Sequence, residues 1–260
     1  MRFSTQNLLS LREGQSHAQV YANTLDECRL AEELGFHTVW LAEHHFSPYG
    51  IAPSLPVLAA AVARETRRVR IGTAVVVAPF AHPIRIAEEW AMVDILSEGR
   101  LDFGIGRGYQ PAEFRGLGIS MEKTRERFDE SLELIRRAWT EERCTFEGEF
   151  YQAREDLREP IRWFFQTQAG LIADETGVPP EQYKFYRRVR ENLLSLSEEK
   201  ALEQAAIVGD AEEVADKIRL HQEALGIDFM MGAFSRGGLA HDKVRHSLKL
   251  FGEKVMPRFA

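Results

Sequence analysis

Apolar residues follow two alternating patterns in the first 140 residues of the chain. Short apolar runs predict buried parallel strands, and apolar positions three or four residues apart predict amphipathic helices. Strands are predicted over residues 2–9, 37–42, 69–78 and 101–105, and helices over residues 17–34, 53–66, 83–97 and 122–140. This order predicts parallel βαβ units with right-handed crossovers.

The alternation stops in the second half of the chain. Helices are predicted over residues 156–174, 183–206, 210–225 and 241–255, with an extended piece over 146–151 and one core strand over 227–231. Asp210 and Glu213 form a capping-box pattern, and Gly226 is a typical helix end. About five parallel strands are therefore expected, fewer than the eight of a closed barrel.

No second domain and no repeat beyond the βα alternation are recognised. We therefore expect a single domain over residues 1–260, with βα units in 1–152, a helical segment in 153–209 and a helix-strand-helix in 210–260. Of the residues, 44% are hydrophobic and 28% are charged, as is ordinary for one α/β domain.

Charge and cysteine usage narrow the classes of function. A formal net charge of -7 argues against general nucleic-acid binding, which needs a basic surface. Cys28 and Cys144 lie far apart, so neither a disulfide framework nor a zinc site is expected. The N-terminus is too polar for a signal peptide, and no apolar run approaches the roughly 20 residues of a membrane span. A cytoplasmic protein without membrane partners is expected.

The end of the second predicted strand carries the first candidate chemistry. Apolar residues 39–42 change abruptly to Glu43, His44 and His45, and strand ends are where α/β barrels keep their active sites. Adjacent strand residues point to opposite faces, so only one histidine can face that end. That histidine is either a general base or a residue that bonds loop backbone, and the sequence alone favours the second.

Glycines and an arginine follow the fourth predicted strand, in the segment FGIGRG. The glycines let backbone approach a ligand closely, and Arg107 offers a guanidinium for phosphate. The third glycine of the dinucleotide fingerprint is missing, and a tight turn with an exposed arginine also explains the pattern. Arg125, in the next predicted helix, is by itself one charge on a solvated helix face.

Two further positions are ambiguous. The small residues 73–76 that end the third strand would let a flat ring lie against it, but an ordinary core strand explains them better. His82 precedes Pro83, and it is either a second polar group at the strand ends or a helix cap.

Longer segments resemble the bacterial luciferase-like family of flavin-dependent monooxygenases. They are VWLAEHHFSPYG, VRIGTAVVVAPFAHPIRIAEEWAMVDILSEGRLDFGIGRG, EFRGLGISMEKTRERF and LGIDFMMGAFSRGGLAHDKVRHSLKLFGEKVMPRF. Together they cover well over half of the chain, in the order of the family. The resemblance implies a TIM-barrel fold that binds reduced FMN, or a related deazaflavin, and oxidises an organic substrate with O2.

The resemblance also assigns roles to residues. It implies that His44 is the catalytic histidine, that Ala74 and Val75 form a non-prolyl cis peptide beneath the flavin ring, and that two arginines hold the FMN phosphate. Gly106 occupies the position at which the luciferase alpha subunit has a reactive cysteine, so light emission is not implied. The implied cofactor-binding positions are Ala74, Val75, Gly106, Arg107, Arg125, His45 and His82.

The chain departs from the family pattern after residue 152. Strands five, six and seven with their helices are expected to be absent, so the predicted fold is an incomplete barrel of family strands one to four and eight, with a helical insertion. The fifth strand contributes groups on the FMN phosphate in the family, and the sequence offers no counterpart.

The family's partners are implied as well. A homodimer is expected through the helices at residues 53–66 and 83–97, and a separate flavin reductase is a possible supplier of FMNH2. The apolar residues expected to form the dimer surface are Leu55, Leu58, Ala59, Val62, Trp90 and Val93.

Three functions stay open at this point. The first is a monooxygenase that uses reduced FMN, and the retained His44, Arg107 and Arg125 favour it. The second is a non-catalytic, shortened flavin-binding or dimerisation protein, which the missing barrel wall favours. The third is a deazaflavin-dependent reductase.

Overall fold

A computed structural model of the chain describes residues 1–155, 207–234 and 240–259. The helices predicted over residues 156–174 and 183–206 lie outside the described residues. The strands are β1 (Arg2–Asn7), β2 (Thr38–Leu41), β3 (Arg70–Thr73), β4 (Val76–Val77), β5 (Leu101–Asp102), β6 (Ile105–Gly106), β7 (Cys144–Glu147), β8 (Gln152–Glu155) and β9 (Phe229–Gly232). The helices are α1 (His17–Glu33), α2 (Leu55–Glu65), α3 (Pro83–Ser97), α4 (Pro111–Gly116), α5 (Thr124–Thr140), α6 (Ala211–Leu225) and α7 (His241–Leu250).

Five parallel strands form the central sheet, in the order β5-β3-β2-β1-β9. This confirms the predicted α/β class and the incomplete luciferase-like barrel. Within the described ranges, β5 and β9 each pair with a strand on one side only. The two strands that were expected to flank the opening are thus the two edges of the sheet, and an edge strand leaves backbone N–H and C=O groups for other partners.

Two predicted strands are interrupted at the same level of the sheet. The peptide bond between Ala74 and Val75 is cis, and the chain resumes as β4, which pairs with β6. Thr73 links the two strands where their ladders break: its Oγ1 donates to the Gly104 carbonyl and accepts the Gly104 N–H, both at 2.7 Å. The side-chain hydroxyl therefore bonds both backbone groups of Gly104, whose carbonyl also accepts the Val76 N–H at 2.9 Å.

Most helix boundaries agree with the predicted ones. Asp210 and Glu213 form the expected capping box at the start of α6, and Gly226 ends this helix with a φ of 65°. The final helix predicted to residue 255 changes at Phe251 into a π turn. The extended piece predicted over 146–151 begins in β7 with Phe146 and Glu147, and its remaining residues form the turn of an antiparallel β7–β8 hairpin. The six-residue α4 was not predicted.

The residues predicted for the dimer surface are wrong. All six residues proposed for it are between 0% and 5% exposed, because they belong to the chain's own core. The apolar side chains that α2 and α3 leave exposed are Val57, Met92, Ile95 and Leu96. A charge at Ala59 or Ala91 would test folding and not association, since both are buried.

The C-terminal helix α7 is attached to α1 by an ionic cluster. His241 lies between two carboxylates, with Nδ1 3.1 Å from Glu27 Oε1 and Nε2 2.9 Å from Asp26 Oδ2. Arg245 donates to the same Asp26 oxygen. Burial raises the pKa of Asp26, but the hydrogen bonds from Arg245 and His241 outweigh it and leave the pKa below the usual 3.8.

We expect this cluster to make the fold more sensitive to acid. A carboxylate whose pKa is lower in the folded state stabilises that state above its unfolded pKa, and the contribution is lost as the pH falls through the folded pKa. Asp26→Asn should therefore lower the thermal midpoint at pH 7, and its difference from the parent should begin to shrink near pH 3.8 and vanish once the pH lies below the folded pKa of Asp26. Thermal unfolding followed by circular dichroism across this range, with the exposed Asp228→Asn as control, measures it. A constant difference at all pH values would contradict the expectation.

None of the helices in the described part of the chain combines the length and apolar character that a membrane span requires.

Candidate functional site

The candidate site lies where β2, β4 and β6 end and α4 begins, and comprises residues 43–50, 74–77 and 106–113. Two connections bring these segments together. The Val77 N–H donates to Glu43 Oε2 at 3.0 Å, which ties the end of β2 to β4. The β4–β6 ladder pairs Val77 with Gly106, so Arg107 follows directly at the strand end.

His44 is held by a buried carboxylate. Its Nδ1 lies 2.9 Å from Oε1 of Glu113, in the first turn of α4, and the His45 backbone N–H donates to the same oxygen at 2.9 Å. His44 is 9% exposed and Glu113 is 2% exposed. Hydrogen bonds to an ionised group are strong when the pair is shielded from water. The His44 ring is therefore fixed through Nδ1, and Nε2 remains for a reacting group.

Two neighbours complete the surroundings of His44. The Tyr49 ring packs edge-on against the imidazole at a centroid distance of 4.9 Å. Gly50 must be glycine, because a Cβ there would lie 2.8 Å from the His44 Cβ and 3.1 Å from the Leu8 carbonyl oxygen. This close approach lets the loop after β2 fold back beside the histidine.

His45 meets its carboxylate through the other ring nitrogen. Its Nε2 lies 3.0 Å from Glu43 Oε1, while the other oxygen of Glu43 accepts the Val77 N–H. The His45 ring also packs edge-on against Phe80. His44 and His45 follow β2 and bind different carboxylates, but both line one cavity, so the prediction that only one of them faces the strand ends stays a prediction. His45 serves the junction of β2 and β4.

The segment around the cis peptide offers an apolar surface beside a cation. Val75 is 37% exposed, and its side chain occupies the space next to Gly106, where a Cβ would lie 2.6 Å from Val75 Cγ2. Arg107 is half-buried and comes next in the chain. Tyr109, 48% exposed, adds an aromatic ring. Burial raises the pKa of Tyr109 above its usual 10, so its phenol stays neutral near pH 7.

The remaining predicted positions lie on helices. Arg125 is in the first turn of α5, where its Nε pairs with Asp129 at 2.9 Å. His82 is the N-cap of α3: its Nδ1 accepts the Ile84 N–H at 3.3 Å, and its ring packs against Tyr151. The helix-cap interpretation of His82 is thus confirmed, and its role toward a flavin stays a prediction.

A cavity of about 550 Å³ adjoins both histidines. Its lining contains no Lys, Arg, Asp or Glu from the described residues. The apolar members of the lining are Leu11, Tyr21, Phe46, Pro48, Ile51 and Pro53.

Sequence reasoning missed Glu113, Gln110 and Tyr109. Local signals for α4 exist, because Pro111 stands at a favoured first helical position and Glu113 follows in the acidic first turn. The contact of Glu113 with His44 spans 69 residues, and no local pattern encodes it.

The chain is similar to luciferase-like monooxygenases in sequence and in structure. A family model described as "Luciferase-like monooxygenase" matches residues 1–167. The oxygenase component of a flavin-dependent trigonelline monooxygenase from Acinetobacter baylyi is 37% identical over 155 residues, which are 58% of this chain and 43% of that protein. An alkanal monooxygenase alpha chain from Photorhabdus luminescens is 42% identical over 113 residues, 44% of this chain and 31% of its own length.

The similarity extends to a solved structure. The monooxygenase RslO1 from Streptomyces bottropensis superposes with a TM-score of 0.80 at 26% identity, covering 100% of both chains. By contrast, the chain matches less than half of the length of the two curated relatives. Family and fold are therefore shown, whereas the activities of those longer proteins are not transferred by the match itself.

Proposed function

The chain belongs to the luciferase-like monooxygenase family, and on that premise we propose that it is a flavin-dependent monooxygenase acting on an organic substrate with reduced FMN and O2. The observation that carries the proposal is the buried His44–Glu113 pair at the strand ends. A histidine held through one nitrogen at the edge of a largely apolar cavity suits the handling of a proton next to a bound aromatic cofactor.

The residues at the strand ends fit a flavin by their chemistry. Val75 and Tyr109 offer exposed apolar and aromatic surface for a flat ring, and Arg107 a guanidinium for a phosphate. Arg125 would join Arg107 at the phosphate. When bound, reduced FMN supplies the two electrons with which one oxygen atom of O2 enters the substrate and the other leaves as water.

His44 would hold or move a proton at Nε2 while Glu113 keeps Nδ1 engaged. The substrate would approach through the cavity beside the histidines. Because its lining in the described chain lacks charged side chains, an uncharged and largely apolar substrate fits best.

The decisive experiment separates the monooxygenase from a non-catalytic flavin-binding protein, which is favoured by the outer edges of β5 and β9 that no described strand pairs. FMN and photoreduced FMN are titrated with absorbance and fluorescence detection, and affinity for coenzyme F420 is compared. The protein is then supplied with FMNH2 by an unrelated reductase under ¹⁸O2, with the uncharged aldehyde decanal as candidate substrate and the zwitterion trigonelline as the charged comparison. Product carrying one ¹⁸O supports a monooxygenase, and flavin binding with only H2O2 released supports the non-catalytic alternative. Preference for F420 would favour a deazaflavin reductase.

We further propose that the chain forms a homodimer through the exposed face of α2 and α3. Val57, Met92 and Ile95 are 71%, 61% and 55% exposed there, and exposed apolar side chains on adjoining helices are typical of contact surfaces. A separate flavin reductase would supply FMNH2, in keeping with the relative named as an oxygenase component.

Ile95→Lys should shift this dimer toward monomer. Placing a charge in an apolar contact costs about 2 kcal/mol or more, roughly 30-fold in the dissociation constant. Light scattering coupled to size exclusion measures the mass, with Leu220→Lys, a similarly exposed leucine on α6, as control. A monomeric parent protein would refute the proposal.

A further inference from the structure

Glu113 is a buried carboxylate whose single oxygen Oε1 carries two contacts. His44 Nδ1 and the His45 backbone N–H both lie 2.9 Å from it. An ionised carboxylate can only accept hydrogen bonds. Because Oε1 already accepts the His45 N–H, it acts as an acceptor toward His44 as well, which favours a hydrogen on Nδ1. The contact to His45 also fixes the backbone on which the next ring is mounted.

The neighbouring Gln110 amide has to turn to agree with this assignment. Its Nε2 lies 3.1 Å from His44 Nδ1, and an amide nitrogen can only donate. Since Nδ1 carries one hydrogen and donates it to Glu113, the amide complements that edge of the ring only with its oxygen turned toward it. Amide orientation is assigned from such hydrogen-bond networks.

The adjacent histidine is arranged in the opposite way. His45 meets its carboxylate, Glu43, through Nε2 at 3.0 Å. Two consecutive histidines are thus bound by two acids through different ring nitrogens, which leaves Nε2 of His44 and Nδ1 of His45 as the remaining nitrogens. A neutral imidazole donates from one nitrogen and accepts at the other, so the acid selects the reactive one.

We propose that Glu113 is a positioning residue that fixes His44 as the Nδ1–H tautomer and so presents Nε2 as the proton acceptor of the site. This inference rests on the proposed function for its catalytic meaning. The tautomer of His44 is a property of the flavin-free protein, and it is tested first in that form.

The first test is ¹⁵N NMR of the histidine rings in flavin-free protein at about pH 8.5, where ordinary imidazoles are neutral. The His44 signals are assigned by their loss in His44→Gln. We expect His44 with hydrogen on Nδ1 and His45 with hydrogen on Nε2. Glu113→Ala should turn His44 into a mixture of tautomers, Glu113→Gln should keep Nδ1–H because its amide oxygen accepts, and Glu43→Gln should leave His44 unchanged. His44 as Nε2–H in the parent protein would overturn the proposal, without needing any variant of Glu113 to fold.

The second test is a double-mutant cycle on the formation of ¹⁸O-labelled product. Glu113→Ala should lower turnover roughly 10- to 100-fold, part of the 10²- to 10⁴-fold typical of general acid–base catalysis, and leave the FMN dissociation constant within a few-fold. Glu113→Gln should recover most of the loss. In the His44→Ala background the same substitution should change turnover less than twofold, since Glu113 acts through His44.

The outcomes distinguish a failure of the positioning role of Glu113 from a failure of the proposed role of His44. Equal losses in both backgrounds, together with weakened FMN binding, would mean that Glu113 is merely structural, and would overturn the positioning role. If His44→Ala leaves turnover unchanged, the proposed function of His44 fails, while the NMR result still decides whether Glu113 sets the tautomer.

Discussion

His44→Ala is expected to lower the rate of substrate oxygenation by about 10²- to 10⁴-fold, the range typical of a general acid–base residue. The FMN dissociation constant should stay within a few-fold, because the exposed surface of Val75, Tyr109 and Arg107 is retained. The measurement is the rate of ¹⁸O-labelled product under saturating FMNH2, combined with H2O2 released per FMNH2 oxidised. The share of H2O2 should rise as the share of product falls.

A control and a contrary outcome make this result specific. His221→Ala removes an exposed histidine of α6, outside the site, and should leave both quantities unchanged. Oxygenation by His44→Ala at the parent rate would show that the buried His44–Glu113 pair serves the architecture of the strand ends and not the reaction.

Arg107→Ala is expected to weaken the binding of FMN roughly 10- to 100-fold and to leave the binding of riboflavin almost unchanged. Losing a charge-assisted partner of the phosphate costs about 1.5–3 kcal/mol. Riboflavin has no phosphate, so its affinity should not depend on this partner. Titration of both ligands by flavin fluorescence gives the two ratios. Arg136→Ala on α5, where the arginine pairs with Glu133, is the matched control for removing a surface cation.

The loss of FMN affinity relative to the loss of riboflavin affinity tests the phosphate assignment. Equal weakening of FMN and riboflavin would mean that Arg107 supports the ring or the loop, and the phosphate assignment would be wrong. The same comparison on Arg125→Ala tests whether a residue already paired with Asp129 also serves the phosphate.

The sequence predicted the elements whose causes are local. Apolar periodicity located the four N-terminal βα units, and the Asp210–Glu213 capping box and Gly226 located both ends of α6, because caps depend on neighbouring residues alone. The abrupt change at Glu43 also pointed correctly to a strand end that gathers polar side chains.

Other features depend on contacts between distant segments and were missed or misassigned. The interruption after Thr73 is stabilised by a hydroxyl that bonds Gly104 on another strand. Glu113 meets His44 only after α4 folds across the end of β2. Periodicity identified the apolar faces of α2 and α3, but Leu58 and Trp90 on those faces pack into the chain's own core.

The order of the central sheet determines where the length of this chain is free to vary. The C-terminal strand β9 pairs directly with the N-terminal strand β1, and none of the four ladders of the sheet includes a residue between Asp102 and Phe229. Insertions or deletions between Glu155 and Ala211, which lie within that interval, therefore leave every register of the sheet unchanged and also spare the segment that contains Arg107. Across generations, such a fold can gain or lose blocks of sequence in its middle while it keeps the strand ends that hold His44 and Arg107.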